Sequence, residues 1–207
     1  MTARSARLCS KAMRKVPSAI FVSLLLGSSP VFAAEAVSAA DAGFEQTLEL
    51  LGIRFKVSAT NEGSLNRLTI RPTGAGITNS AIETGIDGSV TGAEVADLNN
   101  DGSPEIYVYV TSAGSGSYAS LAAYAANDKK SLSPIYLPPL ADNPKLSKGY
   151  MGHDQLSLGD GFLLQRFALY RDGDSNAKPS GGIRQIQYTL VTGEAGWQLK
   201  VDGFTEY

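Results

Sequence analysis

The sequence predicts an all-β protein, an antiparallel sandwich or barrel of about eight strands with little helix. Three observations support that class. Short runs of alternating apolar and polar residues recur from Phe44 onward. Glycine, proline, asparagine and aspartate cluster between those runs, where chain reversals need them. No heptad and no internal repeat stands out.

The elements follow in chain order. Phe44, Gln46, Leu48 and Leu50 share one parity, with Glu45, Thr47 and Glu49 opposite. After Leu51-Gly52 the parity flips, and Ile53, Phe55 and Val57 alternate with Arg54 and Lys56. Two strand-period runs joined by a slip at Gly52 predict one bulged or bent strand. Phe44, Leu48 and Leu51 also fit a helical period, but Gly52 and the second run favour a strand. Leu68–Arg71 reads as a short strand closed by Pro72 and Gly74. Ile82–Ile86 and Ser89–Ala96 flank Asp87-Gly88, a hairpin signal. Glu105–Thr111 is rich in tyrosine, valine and isoleucine, as central strands are. Tyr118–Ala125, Leu132–Leu137, Gly161–Tyr170, Ile183–Val191 and Trp197–Val201 complete the set, with 141–155 irregular and Gly193–Gly196 as the last hairpin turn. Trp197 sits in an apolar strand and reads as core.

The first 33 residues read as a cleavable secretory signal. Arg4, Arg7, Lys11, Arg14 and Lys15 precede an apolar run, Val16–Leu26, and small residues ending in Val31-Phe32-Ala33-Ala34. The run is shorter than the roughly 20 residues a membrane-spanning helix needs. Cleavage is expected after Ala33 or Ala34, and no cysteine at that point suggests a lipoprotein. Residues 34–43 are small and aperiodic and read as a flexible mature N-terminus, leaving 44–207 as a single β domain.

Export changes the chemistry available. The only cysteine, Cys9, lies in the removed segment, which excludes a disulfide, a thiol nucleophile or cysteine-ligated zinc in the mature chain. The signal also carries five of the 18 basic residues and none of the 20 acidic ones, so the mature chain has a net charge of −7. Such a domain avoids nucleic acid and anionic membrane and is drawn to basic partners.

Four segments carry possible chemistry. Ser112-Ala-Gly-Ser-Gly-Ser-Tyr118 joins two good strands and reads as a hairpin loop. Gly114 and Gly116 allow close backbone approach, Ser115 and Ser117 offer hydroxyls, and Tyr118 is a ring type enriched at binding hot spots. No serine there has glycine two residues on both sides, so it is not a nucleophile elbow. An ordinary flexible turn is the alternative reading. In Asp97-Leu-Asn-Asn-Asp-Gly-Ser-Pro-Glu105, Asp97, Asn99 and Asp101 alternate before Gly102, with Glu105 beyond. That order matches the front of a calcium loop, although the EF-hand spacing fails; short calcium loops of β-propellers fit better. The alternative is an Asx-rich turn capping the next strand.

Gly152-His153-Asp154 contains the only histidine, and adjacent residues of an extended segment face opposite ways. A structural hydrogen-bonding role for His153 therefore fits better than a triad. Finally, Arg171–Gly182 is a long polar loop in which Asp172, Asp174 and Asn176 could form a second contact surface.

Taken together, several segments resemble one family. They are Asp97-Leu-Asn-Asn-Asp-Gly-Ser-Pro-Glu-Ile-Tyr-Val-Tyr-Val, Gly-Ser-Gly-Ser-Tyr, Gly152-His-Asp, Arg166-Phe-Ala-Leu-Tyr170, Asp174-Ser-Asn-Ala-Lys-Pro-Ser-Gly-Gly and Arg184-Gln-Ile-Gln-Tyr188. In that order they resemble the periplasmic inhibitors of invertebrate-type lysozyme. The resemblance implies an antiparallel β fold, a periplasmic location, lysozyme as partner, no cofactor and no catalytic activity. It also implies that a Ser-Gly-x-Tyr loop enters the enzyme's active-site cleft, a pattern that falls on Ser115, Gly116, Ser117 and Tyr118. The competing expectation is a calcium-dependent periplasmic module for glycan or protein, using Asp97, Asn99, Asp101 and Glu105. Exposed strand edges would also permit a homodimer.

Overall fold

A computed structural model describes residues 43–74, 76–78 and 80–207. The expected signal segment, its cleavage site and residues 34–42 lie outside the described residues. The all-β class holds, with 12 strands in two sheets and one short α-helix among the described residues.

The first sheet contains β1 (Phe44–Leu50), β2 (Ile53–Ala59), β3 (Leu65–Gly74) and β4 (Ile82–Asp87), in that spatial order. The parity flip at Gly52 is a hairpin, not a bulge. Leu50 pairs with Ile53, leaving Leu51 and Gly52 as a two-residue turn with φ of 50° and 83°. Positive φ at both turn positions gives the twist that suits flanking strands. The strands on either side then turn Leu48 and Phe55 to one face and Glu49 and Arg54 to the other.

Asp87-Gly88 does not close a hairpin either. β4 belongs to the first sheet, whereas β5 (Ser89–Ala96) begins the second. Gly88 is a corner between them, at φ 118°, and a Cβ there would meet the Thr111 carbonyl. Asn66 fixes the corner by donating from Nδ2 to the Gly88 carbonyl at 2.8 Å.

The second sheet continues through β6 (Glu105–Thr111), β7 (Ala119–Asn127), β8 (Ser131–Tyr136), β9 (Gln155–Gly159), β10 (Phe162–Ala168), β11 (Ile183–Gly193) and β12 (Gly196–Glu206). Its spatial order is β5-β6-β7-β8-β12-β11-β10-β9. All pairings are antiparallel except β8 with β12, where Ile135 lies opposite Trp197 in parallel register. The sheet curls into a nearly closed barrel. Its open seam is bridged by Glu94 of β5, whose carboxylate accepts from Tyr109 Oη at 2.5 Å and from the Leu158 amide of β9 at 2.9 Å. Burial and that carboxylate push the Tyr109 hydroxyl far above its ordinary pKa.

β6 explains the continuous apolar run in the sequence. Tyr107 and Tyr109 point into the barrel with Leu163, Phe167, Ile186, Tyr188 and Leu199. Ile106, Val108 and Val110 point outward into a second cluster with Ile53, Phe55, Val57, Leu68 and Ile70 of the first sheet. A strand covered on both faces needs no polar parity, and each such side chain contributes about 1.5–3 kcal/mol by leaving water. Trp197 is half-buried against the barrel cluster, with its indole N–H on Asn127 Oδ1 at 2.8 Å.

Residues 141–155 are less irregular than expected. A 3-10 turn (Leu140–Asp142) leads into α1 (Pro144–Ser147), which Asn143 caps by accepting from the Leu146 amide. Leu146 is buried in the barrel cluster. Arg184, itself buried, holds this segment by donating to the Leu146 and Lys148 carbonyls while paired with Glu206 at 2.6 Å.

Candidate functional site

Three of the segments singled out from the sequence meet at one end of the barrel. The Ser112–Tyr118 segment is the β6–β7 hairpin loop, and its base closes through Ser112. The Ser112 amide donates to the Tyr118 carbonyl at 2.9 Å, and the Tyr118 amide donates back to Ser112 Oγ at 2.9 Å. Inside the loop the Ser117 amide donates to the Gly114 carbonyl at 3.0 Å, with Ser117 itself at φ 43°. Ser115 is exposed, Gly116 and Ser117 are half-buried, and Tyr118 is 48% exposed.

The loop is braced from two sides. The His153 amide donates to the Gly116 carbonyl at 2.6 Å. Asn176 donates from Nδ2 to the Ser115 carbonyl at 2.9 Å and faces His153 Nε2 through Oδ1 at 3.1 Å. Tyr170 holds Asn176 in turn, its hydroxyl donating to the Asn176 carbonyl at 2.8 Å. The three polar segments therefore lock together through backbone carbonyls, leaving the Ser115 hydroxyl outside the brace.

An aromatic stack and a buried carboxylate support the loop from below. Tyr118 meets Tyr150 edge to face at 5.7 Å, and Tyr150 meets Phe167 at 4.7 Å. Asp154, 5% exposed, accepts on Oδ1 from the Ala119 amide and from Tyr150 Oη, both at 2.9 Å. Its Oδ2 accepts from Gln165 Nε2 at 2.6 Å, and Gln165 Oε1 accepts from Tyr188 Oη at 2.7 Å. Burial, with the Asp154 charge second, pushes the Tyr188 hydroxyl up to about 12 and Tyr150 higher still. A cleft of about 660 Å³ opens beside this stack, lined by Tyr118, Leu121, Leu137, Leu140 and Tyr150 among others.

His153 and Asp154 face different ways, toward Asn176 and toward the interior respectively. They form no acid–base pair with each other and act as structural hydrogen-bonding groups. The Arg171–Gly182 loop divides its named residues between separate tasks. Asp172 is exposed. Asp174 staples its own loop by accepting from the Arg171 and Ser180 amides, each at 2.8 Å, and from Ser180 Oγ; those backbone donors hold its carboxyl below the usual range. Asn176 is a brace for the Ser115 loop. Tyr150, Asp154 and Ser112 do much of the positioning and were not singled out from sequence as site residues. The signal that could have found Asp154 is its place after Gly152 and His153 in a segment that carries the resemblance; Tyr150 lies two residues before that segment.

Gly152 makes the brace possible. It stands at φ 87°, and a Cβ there would run into the Gly116 carbonyl that His153 needs. Gly152→Ala is expected to shift the loop off its brace and weaken whatever it binds by about tenfold, the equivalent of roughly 1.4 kcal/mol. Gly161→Ala is the matched control, because Gly161 shares a positive φ of 81° but has open space around its Cβ position. Equal binding by the two variants would show that the brace does not set the loop's position.

The Asp97–Glu105 loop lies at the other end of β6. Asp97 accepts from the Asp101 and Gly102 amides at 3.0 and 2.9 Å, Asn99 Oδ1 accepts from the Asp101 amide, and Asp101 accepts from the Ser103 amide at 2.8 Å. These bonds are those of an Asx-rich turn. Glu105 is wholly buried behind it.

A β-rich domain presenting a braced polar hairpin with an exposed tyrosine has the build of a binding protein. Residues 81–143 match the family model described as periplasmic lysozyme inhibitor of I-type lysozyme. The match runs from β4 through β8 and includes both the Asp97–Glu105 and the Ser112–Tyr118 loops. That family comprises lysozyme inhibitors rather than enzymes, and its name places it in the periplasm. No curated protein and no solved structure matches the chain.

Proposed function

We propose that this protein inhibits an I-type lysozyme by inserting the Ser115–Tyr118 loop into the enzyme's active-site cleft. The observation that carries this reading is the brace: the Ser115 and Gly116 carbonyls are tied down by Asn176 and His153, while Ser115 is exposed and the Tyr118 ring is half exposed above Tyr150. A loop ordered before contact loses less conformational entropy on binding. Glycan-cleaving enzymes of this kind work with a pair of carboxyl groups in a groove. A serine hydroxyl on a narrow hairpin is a donor suited to such a carboxylate, and a hydrogen bond to a charged group contributes about 1.5–3 kcal/mol. Tyr118 adds apolar contact beside it. Asn176 and its loop contribute by holding the hairpin, and Asp172 is exposed on that loop. The acidic balance of the mature chain favours a basic enzyme and speeds encounter with it.

The test is a cell-wall turbidity assay with invertebrate-, chicken- and goose-type lysozymes side by side. Stoichiometric, selective loss of the invertebrate-type activity is expected. Full activity of that enzyme in the presence of excess purified protein would overturn the proposal.

A further inference from the structure

We propose that the Asp97–Glu105 loop binds one calcium ion through the carboxylates of Asp97, Asp101 and Glu105. Carboxylate oxygens from these three residues lie within 4.8 Å of one another. Hydrogen bonds within the turn do not by themselves call for a metal. Glu105 does. It is wholly buried, and while Oε2 accepts from the Leu98 amide at 2.8 Å and lies 3.5 Å from Tyr107 Oη, Oε1 is buried without a hydrogen-bond partner. A buried carboxylate oxygen lacking any donor is a costly arrangement unless something else supplies positive charge.

The neighbourhood of Glu105 makes the deficit plain. Two further carboxylates, those of Asp97 and Asp101, stand beside it. Among the described residues no lysine or arginine pairs with these carboxylates. A divalent cation among the three carboxylates would supply the positive charge that the site lacks. Asp97 and Asp101 retain lone pairs for it, since each carboxylate offers about four acceptor positions.

The donor set selects the ion. All ligands are hard oxygens, which suits calcium or magnesium rather than zinc or copper. Residues 97, 99 and 101 alternate before Gly102, which turns the chain at φ 81°. Ligands drawn from an irregular turn and a strand end favour calcium, which tolerates irregular geometry, over magnesium, which demands a near-octahedral shell. Asn99 is engaged in the turn, donating from Nδ2 to Asp101 Oδ2 at 2.9 Å, so the three carboxylates carry the site.

β6 separates this loop from the Ser112–Tyr118 hairpin along its whole length. The ion is therefore a staple of the fold at the end away from the inhibitory loop, and its presence and the inhibitory reading stand or fall separately. Calorimetric titration and thermal unfolding of the EDTA-stripped protein test it, with calcium chloride and magnesium chloride as separate arms. Calcium is expected to bind one per chain, and at about 100-fold excess over its Kd to raise the midpoint by roughly 5–10 °C. Asp97→Asn with Asp101→Asn should abolish both signals, and the exposed-loop control Asp160→Asn should retain them. Glu105→Gln should also lose the calcium response yet melt no lower than wild type in EDTA, because the amide keeps an acceptor for Leu98 and removes a buried acid. No heat and no midpoint shift in the wild-type protein would overturn the site. A shift by magnesium alone would overturn the choice of ion, and a wild-type calcium response in both variants would overturn the ligands.

Discussion

Ser115→Ala combined with Tyr118→Ala is expected to raise the inhibitor concentration needed for half-inhibition of an I-type lysozyme by a hundredfold or more, while leaving the protein folded. The magnitude follows from the separate contributions. A hydroxyl donating to a cleft carboxylate is worth about 1.5–3 kcal/mol, or roughly 10- to 150-fold. Truncating a tyrosine at a hot spot costs about 2 kcal/mol or more, roughly 30-fold. The two residues share one loop, so their effects need not add.

The folded state should tolerate both changes for reasons visible in the brace. Asn176 grips the carbonyl of Ser115 and not its hydroxyl, so alanine leaves that bond in place. The Tyr118 amide and carbonyl close the loop on Ser112 whatever the side chain. The ring of Tyr118 is half exposed, and its loss removes one edge contact with Tyr150 but not the Tyr150–Phe167 contact beneath. Tyr118→Phe separates the ring from the hydroxyl: retention of most inhibition would assign the residue to apolar contact. Undiminished inhibition by the double variant, with an unchanged melting midpoint, would remove the loop from the mechanism.

The parts of the fold legible in sequence are those set by local pattern. Glu105–Thr111 announces a strand buried on both faces, because no parity is reserved for water. Gly193–Gly196 announces its turn, and β11 and β12 pair across it as the alternation requires. Turn chemistry failed where one signal serves two geometries. Leu51-Gly52 lacks the asparagine or aspartate that usually marks a two-residue hairpin, so the parity flip looked like a slip. Asp87-Gly88 has that chemistry, but the glycine is spent on a corner between sheets, under the Thr111 carbonyl. β9 is only five residues long and runs into Gly159-Asp160-Gly161, too short for alternation to register.

The site divides the same way. Gly114, Ser115, Gly116 and Tyr118 were readable because their composition suits a hairpin tip. Their support was not, because it comes from residues far along the chain: Asn176 is 61 positions from Ser115, and Asp154 is 35 from Ala119. Asn176 reads from sequence as part of a contact loop, and in the fold its side chain also braces the hairpin. Local pattern reports what a segment prefers, whereas a brace is a property of the nearly closed barrel that brings distant loops to one end.

Asp154→Ala should be among the most damaging single changes to this protein, with a loss of roughly 3–5 kcal/mol, because three neutral donors lose one shared acceptor. The carboxylate serves three donors at once: the Ala119 amide, Tyr150 Oη and Gln165 Nε2. Alanine leaves the buried Gln165 amide and the two half-buried donors without that acceptor, and each stranded polar group costs up to about 1–3 kcal/mol. For a domain of this size the melting midpoint should fall by roughly 6–20 °C. Asp154→Asn should recover part of that loss. Its remaining oxygen still accepts from Ala119 and Tyr150. The new amide meets Gln165 Nε2 donor to donor, but Gln165 can reverse its own amide, and the Tyr188 hydroxyl can then accept where it formerly donated. Below their melting midpoints the two variants should differ in inhibition as well, because Tyr150 underlies Tyr118 and depends on Asp154 for its position. Thermal unfolding followed by circular dichroism, with inhibition measured on the same samples, checks both expectations. A midpoint for Asp154→Ala within about 2 °C of wild type would show that this carboxylate is not the anchor of the loop's support.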